Sequence, residues 1–310
     1  MFKHNFVREA GYLPLTLNFL VRHTFLLFLT ILVFTTCISL SPVSLIREQP
    51  VTFTTIENVQ PQWQTFADGI NYFHGKTISP RLEFYALQID LSAPNLEIVT
   101  RAGRANSDNV QSTKVSSFVR DNNLVAGINA TPFNITSSKE GLPLINTGVV
   151  ISGSKLLAPI NPRYDALVFY TNGAAAIVNQ SSIGAAENIK NAVGGFYQVL
   201  VDGDAAERTL NLGSRHPRSA AGVSANGEYL YLLVIDGRRA GSAGATERET
   251  AYLLRSLGSW NGINFDGGGS SALALRYPDG KIRTVNTPIH NRIPGIERAV
   301  AGCIGIYITN

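Results

Sequence analysis

The stretch SAAGVSANGEYLYLLVID, Ser219 to Asp236, decides the fold. Two apolar alternating runs flank Asn226-Gly227, which is the strongest short-range signal for a β-hairpin. Strands joined this tightly are antiparallel, and along the chain strands outnumber helices with no regular β-α-β alternation, which argues against a doubly wound fold. Outward from the hairpin the pattern repeats. Upstream, Leu82–Leu91, Leu96–Gly103, Leu124–Ala130, Thr147–Leu157, Asp165–Val178 and Phe196–Asp204 read as strands with Gly and Asn turns. Downstream, Ser271–Asn286 reads as a second hairpin turning at Pro278-Asp279-Gly280, and Ala299–Ile308 as a buried closing strand. Helices are few. One is expected over Thr113–Asn122. The clearest covers Thr246–Trp260, where Thr246 and Glu249 form a capping box and Ala251, Leu254 and Leu257 share a face. The expected class is α+β, with strand-rich mixed or antiparallel sheets and one domain over residues 71–310.

Composition narrows the function. The 310 residues are 45% hydrophobic and only 15% charged, against a usual charged share of about 25%. Such a chain can bury a sizeable core, which excludes general disorder. The net charge is +4, and Lys3, Arg8, Arg22 and Arg47 stand against Glu9 and Glu48 in the first fifty residues. No basic block remains beyond them, so nucleic acid is not an expected partner. Residues 24–46 are uncharged and follow Arg22, a pattern of a cytoplasmic residue 1–23 segment with the remainder exported. Their length favours an uncleaved membrane anchor over a cleaved signal peptide, although Pro42 ends the apolar helix. Both readings place the main domain outside the cytoplasm: anchored to the membrane, or secreted or periplasmic after cleavage. Residues 47–70 are polar and Gln-rich and read as a linker. Cys37 and Cys303 are the only cysteines, and no CxxC zinc pattern exists.

The few charges fall at strand ends. Asn264-Phe265-Asp266-Gly267-Gly268-Gly269-Ser270-Ser271 places an acid at a strand end before three glycines, whose bare backbone suits either a tight capped turn or an anion-binding nest. Arg218 opens the central hairpin and Asp236-Gly237-Arg238 closes it, while Glu297-Arg298 precedes the last strand. Arginine forks suit phosphate and carboxylate groups. Asp236 reads equally as a catalytic group or as part of a turn.

The ordered set resembles the phosphodiester glycosidase family. Gly127 to Asn134 stands where that family has an Asn-rich glycine turn. It is followed by His216-Pro217-Arg218-Ser219-Ala220-Ala221-Gly222, Asp236-Gly237-Arg238, Gly244–Gly258, Asn264–Ser271 and Arg298. The resemblance covers roughly residues 80–310. The chain departs from it at Ala130-Thr131-Pro132, where the family has Gly-Gly, so the contacts of that loop differ. The resemblance implies an exported hydrolase that cleaves the bond between a sugar C1 and phosphate, with a sugar-1-phosphodiester or an envelope glycan as substrate. Phosphate is already a good leaving group, so arginines that hold its charge matter more than an acid. A carboxylate is still required, to activate water or to attack carbon. Asp266, Glu247 and Asp236 are the expected catalytic carboxylates. Arg218, Arg298 and Arg238, with Gly267, Gly268, Gly269 and Ser270, are expected around the phosphate, and Asn129 and Asn134 around the sugar. Glu249 belongs to the capping box.

Two alternatives carry different chemistry. The same site could serve a non-catalytic module that binds envelope glycans. Gly268-Gly269-Ser270-Ser271-Ala272 nearly matches a serine-hydrolase elbow, but that motif needs a helix after the serine, where a strand is expected. No cofactor is assigned. A metal is left open, with calcium at Asp202-Gly203-Asp204 set against an ordinary turn, and His74, His216 and His290 too scattered for zinc.

Overall fold

The structure, a computed structural model, describes residues 49–101, 109–134, 136–137, 139–184, 188–210 and 213–309. The expected anchor at residues 24–46 lies outside them. Among the described residues no helix is long and apolar enough to cross a membrane.

The central hairpin forms as read. Arg218–Val223 and Tyr229–Ile235 pair antiparallel from Arg218 opposite Ile235 to Val223 opposite Leu230. The turn is longer than a two-residue loop: the Ser224 N–H donates to the Tyr229 carbonyl and the Gly227 N–H to Ser224, with only Gly227 (φ +74°) left-handed. The hairpin sits in the middle of a nine-stranded sheet. Leu82–Asp90 lies beside Tyr229–Ile235, and Asn261–Asn264 beside Arg218–Val223. Two five-stranded sheets and a two-stranded ribbon complete the strand layers. Nearly all pairs are antiparallel. Val51–Phe53 against Gly75–Thr77 is parallel, which makes the large sheet mixed.

Tyr229–Ile235 is apolar on both faces because both are covered. Leu230, Leu232 and Val234 face a core shared with Ile128, Leu273 and Ile304 of a smaller sheet. Tyr231, Leu233 and Ile235 face the helix Glu247–Leu257, through Ala251, Leu253, Leu254 and Leu257. That helix starts at the expected capping box: Glu249 N donates to Thr246 Oγ1 at 3.2 Å, and Thr246 N donates to Glu249 Oε2 at 2.9 Å. It ends three residues before Trp260, because Gly258 takes the left-handed conformation (φ +113°). The shorter helix Val115–Asp121 packs Val115, Phe118 and Val119 against Ala274 and Cys303 of that same smaller sheet.

One expectation is corrected at the start of the domain. Residues 51–69 are not a free linker: Val51–Phe53 and Gln64–Ala67 both pair with Ile70–Thr77. Ile56, Val59 and Phe66 are buried, and the Trp63 ring meets Phe73 edge-on at 5.8 Å. The stretch is polar in composition, but these four apolar side chains dock it.

Candidate active site

Asn261–Asn264 carries the chain to the rim of the large sheet. Phe265 is fully buried, so Asn264 and Asp266 turn their side chains the opposite way. The glycines then allow the main chain to double back closely. A Cβ on Gly267 would lie 2.8 Å from the Pro217 carbonyl oxygen, and one on Gly269 would strike the Arg298 guanidinium. Gly268 has φ +64° and donates its N–H to Pro217. Gly268–Ser270 forms one 3-10 turn, followed by Ser271 in extended conformation and the strand Leu273–Arg276. The serine-hydrolase elbow is therefore absent, because no helix follows Ser270. Ser270 is buried, and its hydroxyl instead contacts Arg298 Nη1 at 3.1 Å.

A cleft of about 350 Å³ opens on this turn. Arg218, Arg238 and Arg298 line it together with Gly267, Gly268, Gly269, Glu247, His216, Asn264, Phe196 and Tyr197. Each arginine arrives from a different element. Arg218 begins the hairpin and is 8% exposed; its Nε donates to the Ala245 carbonyl at 3.0 Å, and its Nη1 lies 3.7 Å from Glu247 Oε1. Arg238 follows the other hairpin strand with φ +57°, and its Nη2 lies 3.2 Å from His216 Nδ1. Arg298 donates from Nε to His290 Nδ1 at 3.1 Å. Burial lowers the pKa of Arg218 and Arg298 from the ordinary guanidinium value, with Glu247 and Asp266 respectively opposing that fall. The charge of an anion entering the cleft would offset this desolvation.

Asp266 stands at the base of the turn, partly exposed. Burial pushes its pKa up to about 6, against the Ser270 hydroxyl, the Arg298 charge and the Gly267 N–H, which favour the carboxylate. A carboxyl titrating there can hold or release a proton near neutrality, the property a general acid or base requires.

Asp266 and Ser270 flank the lining glycines in sequence without themselves lining the cleft, and three further expected site residues are placed elsewhere. Asn129 is 1% exposed, with its side chain committed: Nδ2 donates to the Asp266 carbonyl at 2.6 Å, while Oδ1 accepts from Ser219 Oγ at 2.6 Å and Ala272 N at 3.2 Å. It staples the glycine turn, and its burial closes it to a sugar. Asn134 is exposed, outside the lining of the cleft, and accepts from Ile145 N at 2.9 Å. Asp236 is 1% exposed and points into the scaffold, where Arg239, Asn286 and Thr287 hold it. Asp202-Gly203-Asp204 forms a turn with φ of +49° and +82° at its first two residues, and Asp204 lies 3.9 Å from Arg255. Among the described residues no three His, Cys, Asp or Glu side chains gather as metal ligands.

His216, Asn264, Phe196 and Tyr197 line the cleft without having been expected there. Asn264 could have been found from the two-residue period back from Asp266. His216 heads the very segment that supplies Arg218. Asn264 Oδ1 is buried with no hydrogen-bond partner among the described residues.

Residues 122–307, more than half of the chain, match the phosphodiester glycosidase family. The chain belongs to that family. Its match to the SPbeta prophage-derived uncharacterized protein YomE of Bacillus subtilis is 32% identical over 150 residues. Those residues are 46% of this chain and 22% of that protein, so the chain spans about a fifth of that relative. The crystal structure of a hypothetical protein from Synechocystis superposes with a TM-score of 0.61 at 15% identity, over 81% of this chain and 64% of the other. The catalytic domain of zebrafish N-acetylglucosamine-1-phosphodiester alpha-N-acetylglucosaminidase, auto-inhibited by its pro-peptide, superposes with a TM-score of 0.56 at 16% identity, over 83% and 87%. At these identities the two superpositions speak for the fold alone. Family membership rests on the sequence match that contains Arg218, Glu247, Asp266 and Arg298.

Proposed function

We propose that this member of the phosphodiester glycosidase family hydrolyses glycosyl-1-phosphodiesters at the C1–O bond, yielding a free sugar and a phosphomonoester. The observation that carries the reading is the convergence of Arg218, Arg238 and Arg298 on the glycine turn beside Asp266. The arginines hold the phosphate as charge grows on it when the C1–O electron pair leaves. Asp266 acts on the carbon side, either taking a proton from the attacking water or bonding to C1. Glu247, 3.7 Å from Arg218, is the carboxylate that lines the cleft itself. The name of the zebrafish relative, an N-acetylglucosamine-1-phosphodiester glycosidase, supports an N-acetylhexosamine as the first sugar to try.

We place the domain outside the cytoplasm, behind an anchor at residues 24–46, where surface glycans carry such linkages. The test is release of free sugar from a panel that includes UDP-GlcNAc and simple GlcNAc-1-phosphodiesters, with and without chelator. Cleavage of one or more supports the reading. Saturable binding with no sugar released overturns it in favour of a glycan-binding module.

A further inference from the structure

Two of the cleft arginines are held in the same unusual way. Arg238 Nη2 lies 3.2 Å from His216 Nδ1, and Arg298 Nε donates to His290 Nδ1 at 3.1 Å. A guanidinium carries donors and no acceptor, so each Nδ1 presents a lone pair. Each imidazole is therefore neutral, with its proton on Nε2. His290 is 3% exposed and serves as an internal prop. His216 differs: it is partly exposed and lines the cleft, and its Nε2 has no hydrogen-bond partner among the described residues. Pro217 and Arg218 follow it directly, so the start of the strand fixes where the ring stands. Burial, with the charges of Arg218 and Arg238, holds its pKa below the ordinary imidazole value and keeps it neutral near pH 7.

We propose that His216 is a further substrate-contacting residue, whose Nε2–H donates to a phosphoryl oxygen of the bound glycosyl phosphodiester. This rests on the phosphodiester reading above. As the C1–O bond breaks, its electron pair passes to the bridging oxygen and the phosphoryl group gains charge. A fixed neutral donor strengthens with that charge, yet adds no positive charge to retain the phosphomonoester product. Arg238 sets the tautomer that makes His216 a donor toward the cleft.

The competing role is purely structural, with His216 an acceptor that holds Arg238. Two amides separate the roles. Glutamine reaches the position of Nε2 with an N–H and cannot ionise, whereas asparagine reaches only the position of Nδ1. We expect His216→Gln to keep kcat within about tenfold and His216→Asn to lose about 100-fold with little change in KM. Equal losses, or a better enzyme with asparagine, would overturn the proposal. A second readout does not depend on the variants being active. Imidazole 15N resonances of the full-length protein should show His216 neutral and protonated on Nε2, and inorganic phosphate should move that Nε2 signal. A proton on Nδ1, or an Nε2 signal indifferent to saturating phosphate, overturns the assignment. If the wild type cleaves no glycosyl phosphodiester while phosphate still moves the Nε2 signal, the hydrolase reading falls and the anion contact stands. If the wild type cleaves and asparagine outperforms glutamine, the contact alone falls.

Discussion

Arg238 and Arg239 are adjacent in sequence and opposite in circumstance. Arg239 turns into the scaffold and meets two carboxylates, with Nη2 at 2.5 Å from both Glu83 Oε2 and Asp236 Oδ2. Burial by itself would raise the Glu83 pKa, but hydrogen bonds from His74 and Arg239 outweigh it and bring it down to about 2. Asp236 stays raised by burial despite Arg239, Asn286 and the Thr287 N–H. That network joins Leu82–Asp90 to the end of the central hairpin and to the segment leading to Arg298. Arg238 turns outward into the cleft and meets a neutral histidine. The scaffold matches its half-buried arginine with carboxylates, whereas in the cleft Arg238 is exposed beside an imidazole and burial keeps the pKa of Arg218 and Arg298 lowered. A buried cation matched by acids is architecture; one held by imidazoles and carbonyls is waiting for an anion.

The largest effect expected from breaking this contrast is at Asp266. Asp266→Asn should lower kcat by about 1,000-fold while the protein remains folded. The stability change has a definite sign. The folded-state pKa lies above the usual aspartate value, so the folded protein binds the proton more tightly and wild-type stability falls as pH rises from about 4 to 6. Asparagine removes that cost and should stabilise the protein by about 2 kcal/mol at pH 7, with the gain vanishing near pH 4. Urea unfolding at the two pH values measures it. A variant that is less stable at pH 7 would contradict the burial argument.

The next effect separates the two arginines. Arg239→Met strands Asp236 and Glu83 without their partner, and should cost about 3–5 kcal/mol of stability. Arg238→Met should change stability by no more than about 0.5 kcal/mol, yet lose about 100-fold in kcat/KM. Thermal melts alongside steady-state kinetics check both; similar losses of stability would erase the distinction. The smallest effect is at Gly269→Ala. The added methyl must push the Arg298 guanidinium aside, and should cost about tenfold in kcat/KM, less than the roughly 100-fold that a 1 Å misplacement can bring. Arg298→Lys, with a slimmer head group, should recover part of that loss in the alanine background.

What was legible in the sequence was local. The central hairpin, the Thr246–Glu249 capping box and the Asp266 turn each declare themselves within about twenty residues, and the expected arginines do gather, although Arg218 and Arg238 flank strands of the nine-stranded sheet and Arg298 precedes a strand of a five-stranded one. The unread part depended on which way a side chain turns. Arg238 sits at positive φ, which swings the chain so that Asp236 and Arg239 face inward together. No pattern of residue types announces that reversal. Asn129 looked like a sugar ligand because asparagine near a glycine turn suits that role, but its partners Ser219 and Asp266 lie 90 and 137 residues away. The docking of residues 51–69 was hidden for a different reason. Ile56, Val59, Trp63 and Phe66 recur at three- and four-residue spacing in a segment that forms strands and turns, so their burial follows no strand alternation.

The central claim, C1–O cleavage with the phosphate held by the arginines, is tested most directly by hydrolysing a GlcNAc-1-phosphodiester with the full-length protein in H₂¹⁸O. Mass spectrometry of the released phosphomonoester then locates the broken bond. The account predicts a phosphomonoester without ¹⁸O, because water joins the sugar carbon, and product formation about 1,000-fold slower from Asp266→Asn. Label in the phosphomonoester would show attack at phosphorus and contradict it.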